Sequence, residues 1–368
     1  MDDPEVSIFH IFHISLIAIH PKLDNLDKMA GAYMNEGSSV QDLFAQDPTV
    51  VLNGIPDEAN GETPDPPVRY GLPLPKEWVS LYKKPMRTPT RKLRVCVIGA
   101  GISAMNLAYQ IYHDAKMQDI VELCIYEAHE EMGGTWLVNT YPGVACDVPA
   151  HIYTFPFEPN PDWSAYYANG DEILQYFRRA VAKYDLARDV KCGHRVEGAS
   201  FDTERGKWDL KIATKDGSIL DDCDILVSAA GFLSRWRWPS ISGLHDFKGI
   251  LCHSAAWDKA FDGTGKRIAV IGNGSSAIQI LPQVVEKAAH LTNFIRRPTY
   301  ITPGLGSAVI GGQTQHIYSE EEKKRFRDDP EALKNYRKRI QAGSNKAFDM
   351  FVKKYTQGNP VVVSSLLC

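Results

Sequence analysis

Two stretches of this chain obey one rule, and few folds can satisfy it twice. Gly99-Ala-Gly101-Ile-Ser103-Ala104 and Gly272-Asn-Gly274-Ser275-Ser276-Ala277 each follow an apolar β-branched run and precede a run of helix formers. Leu93-Arg-Val-Cys-Val-Ile98 leads into the first, and Arg267-Ile-Ala-Val-Ile271 into the second. Such runs belong to strands buried on both faces of a parallel sheet. The first glycine of each motif permits a tight turn, and the second lets backbone approach a ligand. The small residue at the end lets helix and strand pack closely. The helix start then offers unpaired amides and a positive dipole end to a phosphate. The pattern predicts an α/β protein with two Rossmann-like, three-layer dinucleotide-binding domains.

The flanks of the two motifs differ. Helix formers from Met105 to Tyr112 and a strand-like run from Val121 to Tyr126 follow the first, and the run ends in Glu127. A helical stretch from Ile278 to Lys287 and a run from Leu291 to Ile295 follow the second, which ends in Arg296-Arg297. A carboxylate at that point accepts hydrogen bonds from ribose hydroxyls and repels a 2′-phosphate, whereas guanidinium groups hold one. The first site therefore suits an adenosine with a free ribose, as in FAD or NAD, and the second suits NADPH. The plainer reading, an ordinary glycine turn and two solvated arginines, leaves Glu127 and the placing of Arg296 unexplained.

Composition narrows the remaining classes. With 41 basic and 45 acidic residues the formal charge is -4, so no global field draws the chain to nucleic acid. The seven cysteines form no CxxC pair, which argues against zinc ribbons, any metal site and the redox pair a disulfide reductase needs. Widely spaced thiols suit a reducing, cytoplasmic setting. Val6 to Ile19 is apolar, but His10 and His13 interrupt it, acidic residues precede it, and it is too short to span a bilayer. A weak anchor, an amphipathic helix and a start at Met29 stay open there. Pro56, Pro64, Pro66, Pro67, Pro73, Pro75, Pro85 and Pro89 mark an extended arm.

Between the glycine motifs, Asp171 to Tyr184 reads as an amphipathic helix, and Trp208 to Ala213 and Ile219 to Val227 read as strands joined at Lys215-Asp-Gly217. Charged helical stretches follow Gly312, at Ser319 to Arg327 and Glu331 to Gln341, and read as solvated faces. The expected division is an N-terminal extension and arm over 1–90, an FAD-binding domain over 91–245 and an NADPH-binding domain over 246–368. The last would carry the start of a small helical insertion.

Two further motifs carry a resemblance. Gly133-Gly134-Thr135-Trp136 is followed by Tyr141-Pro-Gly143 and then Asp147. Phe247, Gly249, His253, Trp257 and Asp258 stand in the spacing FxGxxxHxxxW-P/D. Together they resemble type I Baeyer–Villiger flavin monooxygenases, fungal ketone-oxidising members above all. N-hydroxylating flavin relatives usually lack a tryptophan at the position of Trp257. The resemblance implies that Gly99, Gly101, Ser103, Ala104, Glu127, Gly134, Thr135, Trp136, Val148 and Tyr153 line FAD. It gives NADPH to Gly272, Gly274, Ser275, Ser276, Ala277, Arg296 and Arg297, and puts Ala145, Cys146 and Asp147 where nicotinamide meets flavin. The implied reaction inserts one oxygen of O2 into a ketone, giving an ester or lactone. Asp147 would orient the nicotinamide and an active-site arginine, and His253 and Trp257 would couple NADPH seating to domain rotation.

One departure accompanies the resemblance. The family's arginine, and the return segment that completes its flavin domain, belong to a region after Phe351. Here Val352-Lys-Lys-Tyr leads into Pro360-Val-Val-Val-Ser-Ser-Leu-Leu-Cys368. A chain truncated relative to that family is expected, and the alternatives are a nucleotide-holding fragment without oxygenase turnover and a flavin-containing N- or S-hydroxylating monooxygenase.

Overall fold

A computed structural model describes residues 91–296 and 304–347. The N-terminal apolar run, the proline-rich arm, Arg297 and the stretch after Ala347 lie outside the described residues. Among those described, no helix is long and apolar enough to cross a membrane.

The first glycine motif sits in a parallel sheet. Strand β1 (Leu93–Ile98) leads through the turn into helix α1 (Ile102–His113). A short helix α2 (Ala115–Ile120), capped by the Asp114 side chain, then feeds β2 (Val121–Tyr126). The short β3 (Val190–Lys191) and the later β7 (Ile225–Ser228) complete the order β3-β2-β1-β7, with every pair parallel. Strand alternation assigns the two faces. Val95, Val97, Leu123 and Ile125 point into a core shared with α1 and with α4 (Gly170–Tyr184). Cys96, Cys124 and Tyr126 point the other way, onto Leu210, Ile212 and Cys223.

Those last three residues come from an antiparallel layer of β4 (Arg195–Asp202), β5 (Lys207–Thr214) and β6 (Gly217–Cys223). Helices, parallel sheet and antiparallel sheet make three layers. The run from Ile219 to Val227, expected as one strand, divides at Asp224 into β6 and β7, which belong to different sheets. The Asp224 carboxylate accepts from the Arg94 amide at 2.8 Å and pairs with Arg91 at 2.6 Å. These contacts pin the crossing point, which a hydropathy run cannot reveal. Helix α4 matches its periodicity, burying Ile173, Leu174, Tyr176, Phe177 and Ala180, and Asn169 caps it by accepting from the Glu172 amide.

The second glycine motif forms a smaller unit. Strand β8 (Arg267–Ile271), helix α5 (Ser275–Val285) and β9 (His290–Phe294) make one β-α-β turn, with β8 and β9 parallel. Helices α6 (Glu320–Asp328) and α7 (Pro330–Ala347) follow, and Ser319 and Glu322 close a capping box on α6. Sequence order attaches these helices to the second motif. Their apolar residues Phe326, Leu333 and Ile340 nevertheless enter the first core, beside Tyr318. Backbone bonds from Tyr166 N to His316 O and from Tyr318 N to Ser164 O tie the segment there.

Candidate functional site

The first glycine turn is closed by contacts that allow no side chain. Gly99 has φ +96°, and a Cβ on it would lie 2.7 Å from the Ala229 carbonyl at the end of β7. Gly101 caps α1 without any side-chain hydrogen bond, so the first-turn amides of Ile102, Ser103 and Ala104 are left for another acceptor. Gly134, at φ +57°, stands back to back with it, since a Cβ on Gly134 would lie 3.0 Å from the Gly101 Cα. Ala104 is fully buried under the turn.

Glu127 sits at the end of β2, buried, and its carboxylate is already engaged. Oε2 accepts from the Ala100 amide at 2.7 Å, while Oε1 accepts from the His129 amide at 2.9 Å and from His129 Nδ1 at 2.7 Å. A carboxylate offers about four acceptor positions. One is left for a further donor, and the others hold the glycine turn in shape.

The Gly134–Trp136 segment opens α3 (Thr135–Val138), with Thr135 exposed and Trp136 buried. Trp136 Nε1 donates to the Tyr153 hydroxyl at 3.0 Å. Burial pushes the Tyr153 phenol above its usual range, and the hydrogen bond from Trp136 pulls the other way. Cys146 is buried, and burial pushes its thiol up to about 12, which makes it a packing residue at neutral pH. Val148 is half-buried beside it, whereas Asp147 is exposed. Among the described residues no cation or hydrogen-bond donor engages the Asp147 carboxylate.

The loop that carries Asp147 reaches across to the second motif. Tyr141 OH donates to Gln279 Oε1 at 2.9 Å, and Gln279 Nε2 donates to the Ala145 carbonyl at 3.0 Å. Gly143, at φ +80°, lies against the same turn of α5, where a Cβ would meet the Gln279 carbonyl at 2.4 Å. Gln279 is thus a strut between the two glycine motifs. Sequence reasoning missed it; its one signal is a glutamine on an otherwise apolar stretch, Ala277-Ile-Gln-Ile-Leu281.

The second turn repeats the shape with more room. Gly272 has φ +112° and Gly274 caps α5 without a side-chain bond, yet a Cβ on either meets nothing within 4 Å. Asn293 Nδ2 donates to the Val270 and Gly272 carbonyls and holds the turn from β9. Ser275 begins α5 exposed, Ser276 and Ala277 are half-buried, and Arg296 is exposed just past β9.

The linker residues part company. Trp257 packs with Tyr141, Ile280 and Val284 in the small core between the two motifs, edge-on to Phe261. His253 stacks on Trp236 with ring centroids 4.4 Å apart, and its Nδ1 accepts from the Ala255 amide at 3.1 Å. Burial lowers its pKa, so it is a neutral acceptor in this setting. His253 therefore joins an aromatic group upstream of the linker and does not reach the Trp257 cluster.

A family model described as flavin-binding monooxygenase-like matches residues 90–306. The chain belongs to that family. A FAD-binding monooxygenase of Aspergillus terreus, tazF, is 47% identical to this monooxygenase-like chain over 280 residues, 75% of the chain and 49% of the relative. A Streptomyces coelicolor Baeyer-Villiger monooxygenase is 36% identical over 221 residues, 60% of the chain and 41% of the relative. The crystal structure of OTEMO complexed with FAD and NADP superposes with a TM-score of 0.57 at 30% identity, covering 69% of this chain and 45% of that one. The family member described here thus spans about half the length of the relatives it matches.

Proposed function

We propose that the chain is the nucleotide-holding part of an FAD- and NADPH-dependent monooxygenase of Baeyer–Villiger type, which inserts one oxygen of O2 into a small-molecule ketone. The observation that carries this reading is the strut at Gln279. It joins two glycine turns with uncapped helix starts through the loop that bears Asp147.

The residues fit the two groups. The α1 start at Gly101 to Ala104, backed by Gly134, offers free amides and close backbone approach to the pyrophosphate of FAD. Glu127 retains one acceptor position for its ribose, and Trp136 and Tyr153 form an apolar wall with the polar edge of Tyr153 fixed. Gly272 to Ala277 would take the pyrophosphate of NADPH, with Arg296 and Arg297 at its 2′-phosphate. When both are bound, the nicotinamide supplies hydride and the flavin supplies oxygen activation. Asp147, at the loop between the turns, would orient the nicotinamide. Trp257 would transmit seating of the second nucleotide to the loop at Tyr141, because both pack on α5. Relatives bearing flavin and Baeyer-Villiger monooxygenase names support the class.

A second reading, nucleotide holding without oxygen transfer, is favoured by one observation. No described cation pairs with Asp147. Purified chain distinguishes the two: yellow protein that oxidises NADPH faster when a ketone is added, with ester or lactone formed, supports the first. Flavin bound with no ketone-dependent oxygen uptake supports the second, and colourless protein that binds neither nucleotide ends both. Arg296→Ala should weaken NADPH about tenfold or more while sparing NADH, since tenfold corresponds to about 1.4 kcal/mol. An equal loss for the two cofactors would remove the 2′-phosphate role.

A further inference from the structure

The two glycine turns share one backbone support and differ in the side chain beside it. The Gly99 amide donates to the Tyr126 carbonyl at 2.8 Å, and the Gly272 amide donates to the Phe294 carbonyl at 2.9 Å. Tyr126 and Phe294 are the register partners of Ile98 and Ile271, so β2 and β9 stand in the same place beside their turns. One residue earlier the strands diverge. Val97 is paired with Ile125, which is apolar and wholly buried, whereas Val270 is paired with Asn293. A β-branched hydrocarbon satisfies the packing at this place, and asparagine is a poor strand former. Asn293 nevertheless sits half-buried there, on the face that Leu291 turns toward α5. Its Nδ2 donates to the Gly272 carbonyl at 2.8 Å and to the Val270 carbonyl at 3.1 Å.

We propose that Asn293 is a positioning residue for the second nucleotide. Its side-chain amide fixes the Gly272 turn in the shape that takes a pyrophosphate, and so sets the affinity for NADP and NAD alike. This rests on the reading of the second motif as the NADPH site. A peptide unit is planar and trans, so holding the Gly272 carbonyl fixes the whole unit that joins Gly272 to Asn273, inside the motif. Holding the Val270 carbonyl fixes the end of β8 that feeds the turn. The first turn has other supports, because Ala229 stands against Gly99 and Glu127 accepts from the Ala100 amide. At the second, a Cβ on Gly272 would meet nothing within 4 Å, so the side-chain hydrogen bonds stand in for the missing neighbour. A glycine at φ +112° reaches many conformations when nothing holds it, and ordering it at the moment of binding weakens affinity. Two bonds formed before the nucleotide arrives remove that cost.

Asn293→Ile gives β9 the residue that β2 carries, so the full chain should keep its urea midpoint. Calorimetric binding of NADP+ and of NAD+ should each weaken by about tenfold in that variant, with flavin retention at the first turn unchanged. Asn293→Asp, of the same shape but without donors, should weaken both further. In the unaltered chain, the side-chain amide protons of Asn293 should exchange slowly with solvent before any nucleotide is added. Binding of ordinary strength by folded Asn293→Ile reduces Asn293 to packing and overturns the inference, while leaving the second site in place. A loss confined to NADP+ also overturns it, since that marks a contact with the 2′-phosphate and not with the turn. Failure of the unaltered chain to bind NADP+ ends the reading of the second motif and this inference together. If neither variant folds, fast exchange of the Asn293 amide overturns the inference and slow exchange supports it.

Discussion

The two glycine motifs read almost alike in sequence, yet they sit in opposite surroundings. Around Gly99 the turn is closed, because β7 returns beside β1 and brings Ala229 and Ala230 against it. Around Gly272 the turn is open, because β8 pairs only with β9 among the described residues. Ile271 and Phe294, both 57% exposed, mark the uncovered flank. A glycine required by φ alone and a glycine required by φ and packing are therefore both present. The motif does not say which is which.

The largest expected effect tests that contrast directly. Gly99→Ala forces a Cβ onto the Ala229 carbonyl as well as an unfavourable φ, and should cost more than about 3 kcal/mol of unfolding free energy in denaturant titrations, enough to lose the flavin site. Gly272→Ala carries the φ penalty without the collision and should cost about 1–3 kcal/mol. Equal losses at the two positions would break the comparison.

Two histidines extend it. His151, 1% exposed, stands in a ring of Tyr318, Phe326 and Tyr336 with both ring nitrogens unpartnered, and burial, then the charge of Arg337, lowers its pKa to about 3. The unfolded chain takes up a proton near the ordinary value of about 6.5, and the folded chain does not until about 3. Stability is thus fully kept above about pH 6.5 and declines as pH falls toward 3, by about 1.4 kcal/mol per unit at most. His151→Phe should flatten that slope in urea titrations, whereas His253→Phe, at a half-buried site, should alter it less.

Glu127→Gln comes next, since an amide cannot accept from all three donors around it. A loss of about 1–3 kcal/mol in stability, with reduced flavin retention after desalting, is expected. Unchanged retention would remove the ribose role while leaving the turn-closing role intact. The smallest named effect is at the strut. Gln279→Ala leaves Tyr141 OH and the Ala145 carbonyl to water, at about 0.5–1.5 kcal/mol. It should raise the NADPH requirement of flavin reduction more than it lowers stability, and an effect on stability alone would reduce Gln279 to packing.

Much of this was legible because it is local. Apolar runs, glycine turns and terminal charges place β1, β2, β8 and β9 to within a residue, and α4 follows its own periodicity. The division at Asp224 was not legible, because its cause is a carboxylate meeting Arg91 and the Arg94 amide from far along the chain. The assignment of α6 and α7 to the first core was hidden likewise, since charged helices carry only a thin apolar stripe and the pattern cannot say which core receives it.

The linker from Phe247 to Asp258 shows the same boundary. Its spacing, together with the motif from Gly133 to Asp147, carried the family resemblance, which the comparisons then bore out. Its spacing did not reveal that His253 and Trp257 pack in different aromatic groups. The sequence determined two phosphate-ready turns, the opposite charges that follow them, and the family, because backbone conformation and dipole are set within a few residues. Only the tertiary structure decided that Gln279 braces the loop of Asp147 and that Cys96 and Cys124 on one sheet pack against Cys223 of the other. Contacts of that kind depend on register and sheet order, and no local pattern encodes them.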